Sequence, residues 1–135
     1  MTFLDLRGRK KALKNTNKYL IDWGKKTRSK FQDETKAFLK QFWKNDYVFE
    51  EMRMVGTLLT FDFYNASKRI AVEPSGRQHT SFVKHFHGNR LNFLGQIKRD
   101  LDKHTFCEIN RITLVEIYKV EELTVQFFAE QGVTL

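Results

Sequence analysis

Cysteine and proline each occur only once in the 135-residue sequence, as Cys107 and Pro74. A single cysteine cannot form an internal disulfide, so the sequence is not that of a small disulfide-stabilised domain. The chain also lacks an apolar run near its start that is long enough for a secretion signal or a membrane span. We therefore expect a protein of a reducing cytoplasm that does not reside in a membrane.

The residues that are abundant are those of a folded core. Hydrophobic residues make up 41% of the sequence, aromatic residues 14% and charged residues 30%, and there are 13 phenylalanines. This composition is typical of a globular protein and excludes an intrinsically disordered chain. The length suits one domain with a single core.

The positive charge is concentrated at one end of the chain. The sequence has a net charge of +8, and residues 1–30 contain ten Lys or Arg against two acids, whereas basic and acidic residues balance in the remainder. Such a basic segment favours a polyanion, nucleic acid above all, as its partner. A solubilising tail or a membrane-surface anchor is the alternative. We predict a basic nucleic-acid-binding arm at residues 1–30 and a core domain at residues 31–135.

Hydrophobic periodicity predicts an ordered series of helices and strands. A helix is expected over residues 29–45, three short strands over 46–54, 57–65 and 68–74, a long helix over 89–111, a fourth strand over 111–118 and a closing helix over 119–132. A helix between the third and fourth strands suits a crossover connection. The predicted class is α/β or α+β, with a mixed four-stranded sheet flanked by helices.

Two acids interrupt these apolar strands. Asp62 lies in "LLTFDFY", and Glu73 ends the strand "RIAVEP" just before Pro74, which cannot donate to a sheet ladder and is expected to stop strand pairing. Strand alternation allows Asp62 and Glu73 to point the same way from neighbouring strands. Two close carboxylates resist joint ionisation unless a cation lies between them, which favours an Mg²⁺ or Mn²⁺ site. The alternative is that each acid is solvated, or paired with Lys68 or Arg69.

The order of these motifs resembles a known enzyme superfamily. The stretches "FDFYNASKRIAVEPSGRQH" and "QIKRDLDKHTFCEINRITLVEI" are similar to the PD-(D/E)xK nucleases. The similarity is greatest to the small bacterial and phage branch that includes very-short-patch repair endonucleases and some phage homing endonucleases. In that branch an aspartate ends the second strand, a glutamate ends the third within a pattern like E-x-D-G-x-Q-H, and a helix with R-D-x-x-K precedes the last strand. The resemblance spans roughly residues 30–128 and implies a restriction-endonuclease-like core.

The resemblance also implies roles for individual residues. Asp62 and Glu73 would bind the metal, and Glu34 of the first helix would complete the site through water. Gln78 and His79 match the Q-H pair, and Arg99, Asp100 and Lys103 match R-D-x-x-K. The implied reaction is hydrolysis of DNA phosphodiester bonds by a homing or repair endonuclease, in the cytoplasm of a bacterium or a phage-infected host cell.

Nucleic-acid contacts would come chiefly from the basic arm. The residues assigned to this role are Arg7, Arg9, Lys10, Lys11, Lys14, Lys25, Lys26, Arg28 and, beyond the arm, Arg77. A nuclease with one active site needs a second site to cut both strands at once, which favours a homodimer or higher homo-oligomer.

One position departs from the family pattern. The superfamily places a lysine two residues after the glutamate, where this sequence has Ser75. A serine cannot supply positive charge, so that role would pass to Gln78, His79 or a lysine on another element such as Lys103. The departure also favours an alternative function, a catalytically inactive nucleic-acid-binding or assembly protein on the same fold.

A zinc-stabilised or RNA-binding module is a third hypothesis. His85, His87, His104 and Cys107 are potential ligands, and His104 and Cys107 are one helical turn apart. Cys107 is otherwise expected to be a small buried residue on the apolar side of the long helix.

Overall fold

The computed structural model describes residues 1–75 and 90–135, with the backbone alone at 90–93. Its centre is a four-stranded sheet in the order β3-β4-β5-β6. The strands are β3 (Val48–Arg53), β4 (Thr60–Asn65), β5 (Ile70–Pro74) and β6 (Thr113–Ile117). The first three run antiparallel and β6 runs parallel to β5. The prediction of a mixed sheet with a three-strand meander and a crossover helix is confirmed.

Helix α1 (Lys30–Trp43) packs on one face of the sheet. Its start is fixed by Ser29, whose hydroxyl accepts the Gln32 N–H at 3.2 Å, as in a typical N-cap. Leu39 and Trp43 are fully buried in a cluster with Val72 and Phe128. The apolar spacing thus predicts the helix correctly.

Helix α2 (Arg90–Ile109) lies between β5 and β6 in the chain and contacts the opposite face of the sheet near its end. Phe106 and Cys107 are buried there beside Phe61. Leu94 and Leu101 are apolar residues of the same helix, but they are 49% and 60% exposed. Only the last turns of α2 are therefore packed like a core helix among the side chains that the structure describes.

Residues 1–19 are folded onto this second face. Strands β1 (Thr2–Leu4) and β2 (Lys10–Ala12) form a hairpin, and Phe3 and Leu13 are buried in the same cluster as Phe61 and Phe106. A 3-10 turn (Thr16–Tyr19) follows, after which Leu20 bridges to Phe49 at the edge of β3. The basic segment is thus attached to the core by its own apolar residues.

The closing segment differs from the single helix that the sequence predicts. It is a 3-10 turn (Val120–Glu122) followed by the short helix α3 (Val125–Glu130). The break occurs because Thr124 adopts an extended backbone and its hydroxyl accepts the Phe127 N–H at 3.1 Å, which starts a new helix. α3 buries Phe128 against the same face as α1.

Pro74 also differs from its predicted role. It remains in register with Ile117 of β6, and the next residue, Ser75, donates its N–H to the Ile117 carbonyl at 2.8 Å. The proline is accommodated because its missing N–H is not needed on the β6 side. Pairing of β5 with β4, by contrast, ends at Val72.

None of the helices within the described ranges has both the length and the apolarity that a membrane crossing requires.

Candidate active site

Glu73 is the central residue of the candidate site. The antiparallel ladder between β4 and β5 ends at the Phe63–Val72 pair. One residue beyond, the Asp62 N–H donates to Glu73 Oε2 at 2.7 Å instead of joining the ladder. The side chain of Glu73 therefore occupies the gap between the two strands, where it is 7% exposed.

The second residue that holds Glu73 is Lys103 of α2. Its Nζ contacts Glu73 Oε1, the carboxylate oxygen that Asp62 does not use. The two residues are thirty positions apart in the chain. Lys103 thus places positive charge beside the glutamate, the role left open by Ser75, and the structure brings Asp62, Glu73 and Lys103 into one site.

Asp62 and Glu73 both have raised pKa values, chiefly because both carboxylates are buried. Burial, followed by the charge of Asp62, raises the pKa of Glu73 to about 8. Burial likewise raises the pKa of Asp62, although the hydrogen bond to Glu73 and the charges of Lys103 and Arg28 oppose the change. Such a pair favours a bound proton or a bound cation over two free negative charges.

A divalent metal fits this pair as a partner. Within residues 1–75 and 94–135, no group of three or more His, Cys, Asp and Glu side chains is arranged as a metal cage. Mg²⁺ ordinarily uses one or two carboxylates and completes its octahedron with waters and substrate phosphate. Asp62 and Glu73 bring two carboxylates of this hard oxygen type together, and burial raises the pKa of both.

The site opens into a small cleft of about 120 Å³. Asp62, Glu73, Lys103 and Ser75 line it together with three groups that bring further acid–base chemistry: Asp100 and His104 from α2 and Glu116 from β6. The volume is that of a few water molecules, so a phosphate group entering the cleft would meet several of these side chains at once.

Glu116 is fixed between two neighbours. His104 Nε2 lies 2.7 Å from its Oε1 atom, and the Tyr118 hydroxyl donates to its Oε2 atom at 2.9 Å. Burial and the hydrogen bond to Glu116 raise the pKa of Tyr118, so this hydroxyl remains a donor. Sequence reasoning missed Glu116. The sequence contains one signal for this residue, because β5 and β6 each carry a glutamate directly after Val. The structure pairs these two glutamates in register.

Arg28 joins the cleft to a neighbouring groove. Its guanidinium lies 2.8 Å from Glu51 and 4.0 Å from Asp62. Glu51 belongs to β3 and has a left-handed backbone with a φ of 52°, an uncommon conformation for a glutamate. The groove has a volume of about 480 Å³ and is lined by four basic side chains, Lys18, Lys25, Lys26 and Arg28, and by three acidic ones, Asp22, Glu50 and Glu51.

The predicted nucleic-acid contacts fall into two groups. Lys25, Lys26 and Arg28 line the groove beside the cleft. The second group lies in or next to the β1–β2 hairpin and comprises Arg7, Arg9, Lys10, Lys11 and Lys14. Within that hairpin Arg9 and Lys11 pair with the buried Asp5 at 3.4 and 3.6 Å. The groove group is therefore the one placed next to the candidate catalytic residues.

Other predicted residues have different outcomes. Gln78, His79 and Arg77 lie outside the described residues. Glu34 is on α1, 3.9 Å from Lys30, whereas Gln32 is the α1 residue that hydrogen-bonds Asp62. A role for Glu34 stays a prediction.

The alternative pairing of the two acids with Lys68 and Arg69 is not observed. Arg69 donates to the Asn110 carbonyl, and Lys68 lies 3.9 Å from Asp46.

The zinc hypothesis is not favoured by the positions of its described ligands. Cys107 is 2% exposed in the core, and burial raises the pKa of its thiol to about 12, so the thiolate that zinc requires is disfavoured. His104 faces Glu116 instead. His85 and His87 lie outside the described part of the chain.

Comparisons with known proteins identify viral relatives. The chain is 38% identical over 66 residues to the uncharacterized protein 307L of Invertebrate iridescent virus 6, 29% over 99 residues to protein 033L of Invertebrate iridescent virus 3, and 37% over 70 residues to protein 094L of Frog virus 3. These matches cover 48%, 70% and 50% of this chain but only 34%, 51% and 45% of the respective relatives. No family model and no solved structure matches the chain.

Proposed function

We propose that this chain is a metal-dependent DNA endonuclease that hydrolyses phosphodiester bonds. The observation that carries the proposal is the contact of Lys103 with Glu73, whose carboxylate also accepts the Asp62 N–H. Two acids and a lysine thereby occupy one cleft, which is the residue set that the PD-(D/E)xK resemblance requires. The lysine comes from α2, so Ser75 is no obstacle to the reaction.

The architecture supports the same proposal. The chain order of α1, a three-strand meander, the crossover helix α2 and a parallel β6 is the order implied for a restriction-endonuclease-like core. Both acids lie where β4 and β5 separate. In the proposed enzyme this separation creates the space that the metal and phosphate need.

Asp62 and Glu73 would hold Mg²⁺ or Mn²⁺. When bound, the ion would lower the pKa of a coordinated water and neutralise charge on the scissile phosphate. Lys103 would move its ammonium from Glu73 toward a phosphate oxygen and stabilise the negative charge that develops there. Arg28, 4.0 Å from Asp62, would contact the neighbouring phosphate.

The basic groove would hold the DNA backbone. The groove adjoins the cleft because Arg28, which lines the groove, lies 4.0 Å from Asp62. Phosphate contacts of this kind give affinity without sequence selection. The groove would therefore bind the DNA strand, and the residues of the cleft would hydrolyse its phosphodiester bond.

The direct test is cleavage of plasmid DNA by the full chain in Mg²⁺ and in Mn²⁺. We expect the wild type to cleave, and we expect Asp62→Asn, Glu73→Gln and Lys103→Met each to lose activity at least about a hundredfold, since each removes a group that acts in the transition state. Lys98→Met is the matched control, because Lys98 is on the same helix and forms an exposed ion pair with the nearby Asp102.

Two results would overturn the proposal. Equal cleavage by the wild type and all three variants would mean that the activity comes from elsewhere. Salt-sensitive DNA binding without cleavage in either metal would favour the catalytically inactive binding protein instead.

A further inference from the structure

His104 and Glu116 form a second functional pair in the cleft that the metal-binding carboxylates do not explain. Both line the same small space as Asp62, Glu73 and Lys103. His104 follows Lys103 in α2, so the backbone that places the lysine also places the imidazole. The His104 side chain is 56% exposed and can therefore meet a ligand.

The carboxylate of Glu116 is held in one orientation. Its Oε1 atom lies 2.7 Å from His104 Nε2, and its Oε2 atom accepts the Tyr118 hydroxyl at 2.9 Å. β6 fixes its backbone opposite Glu73. A carboxylate fixed in this way orients the imidazole that faces it.

An imidazolium that donates through Nε2 to Glu116 still carries a proton on Nδ1. That proton is chemically suited to an alkoxide that leaves a phosphate in the same cleft. The two acids cannot supply it while they hold a metal, and Lys103 would be occupied in stabilising negative charge on a phosphate oxygen. The residues that would activate the phosphate, Asp62, Glu73 and Lys103, are therefore different from the residue that would donate the proton.

We propose that His104 is the general acid that protonates the leaving oxygen of the phosphodiester, and that Glu116 is its positioning residue. The proposal rests on the proposed endonuclease function. Water oxygen forms the new bond to phosphorus, and the proton it loses passes to bulk water. The bond from phosphorus to the bridging oxygen breaks, its electron pair stays on that oxygen, and the oxygen takes the Nδ1 proton of His104, which bulk water replaces.

The test compares two substrates with the full chain in Mn²⁺. Product analysis of an ordinary duplex oligonucleotide first shows which side of the phosphate is broken. The second duplex carries sulfur in place of that bridging oxygen. A thiolate leaves without protonation, so a variant that lacks only the general acid regains its rate on the sulfur substrate.

We expect His104→Ala to be slowed about a hundredfold or more on the oxygen substrate and to approach the wild-type rate on the sulfur substrate. Glu116→Gln should show the same rescue from a smaller loss. Asp62→Asn should remain slow on both substrates. Thr105→Ala, an exposed neighbour on α2, should match the wild type on both.

The outcomes separate the two proposals. Cleavage by the wild type with no loss in His104→Ala, or with an equal loss on both substrates, would overturn the general-acid role and leave the endonuclease standing. Absence of cleavage in the wild type would overturn both proposals.

Discussion

The Glu73 carboxylate is buried and accepts hydrogen bonds from two other elements, β4 and α2. Its pKa is raised to about 8 from a usual value of 4.5. Between these two pH values the folded chain binds more protons than the unfolded chain. The free energy of unfolding of the metal-free protein therefore falls as pH rises through that window, and the contribution of Glu73 is complete only below about pH 4.5.

This linkage gives a prediction at the scale of one residue. In EDTA at pH 8.5, Asp62→Asn should be more stable than the wild type by about 1 kcal/mol, because the amide removes a like charge beside Glu73. The difference should shrink toward pH 4, where Glu73 is protonated and no longer repels the charge of Asp62. Urea unfolding at the two pH values measures it.

The control for this measurement is Asp102→Asn, since Asp102 pairs with Lys98 on the exposed side of α2. Its effect should stay within about 0.5 kcal/mol at both pH values. An Asp62→Asn variant that is less stable than the wild type at pH 8.5 would show that the two acids do not repel each other.

At the scale of elements, the end of α2 connects the hairpin to the core. Asn110, directly after the helix, is 6% exposed. Its Oδ1 accepts the Leu4 N–H at 2.7 Å, and its Nδ2 donates to the Leu4 carbonyl at 2.9 Å and the Phe106 carbonyl at 3.0 Å. The amide thus acts toward β1 as a neighbouring strand would, and it fixes the hairpin to the helix that supplies Lys103 and His104.

We predict that Asn110→Ala lowers the free energy of unfolding by about 2 to 4 kcal/mol, because it leaves buried backbone groups of Leu4 without partners. Hydrogen exchange should lose protection first in β1 and β2. Asn17→Ala, at an exposed position in the 3-10 turn, is the matched control and should change stability by less than about 0.5 kcal/mol. Unchanged protection of the hairpin in Asn110→Ala would contradict this role.

At the scale of the whole molecule, the sheet separates two cores, and the residues of the candidate site lie at one end of the sheet. One cluster joins α1, α3 and the sheet, and the other joins the hairpin, the end of α2 and the opposite sheet face. Phe61 and Phe63, two residues apart on β4, belong to different clusters, so strand alternation is broken at Asp62. The break in packing coincides with the candidate site.

The charge distribution gives a prediction at this scale. We expect DNA affinity, measured by fluorescence anisotropy in EDTA over a range of salt concentrations, to fall steeply as salt increases. Replacing both Lys25 and Lys26 by Gln should reduce the slope of log K against log salt by about 2, since each phosphate contact contributes about 0.9. Replacing by Gln both Lys40, on α1, and Lys44, directly after α1, should retain the wild-type slope, since both are exposed. Equal slopes in all three proteins would exclude the groove as the DNA path.

Sequence alone was sufficient for the order of the elements from α1 to β6 and for the two acids. The meander, the crossover helix and the positions of Asp62 and Glu73 at interruptions of apolar strands follow from periodicities of two to four residues, which are local properties. The closing helix was less well predicted, because a single hydroxyl at Thr124 decides whether the chain starts a new helix there.

Only the tertiary structure decided which side chains meet. Lys103 reaches Glu73 across thirty residues, and Lys36 of α1 is 3% exposed and donates to Glu50 at 3.0 Å. Glu116 became part of the cleft through the register of β6 with β5. Such contacts depend on strand register and on the rotation of a helix over the sheet. Packing of the entire core fixes both of these, and no local pattern in the sequence records them.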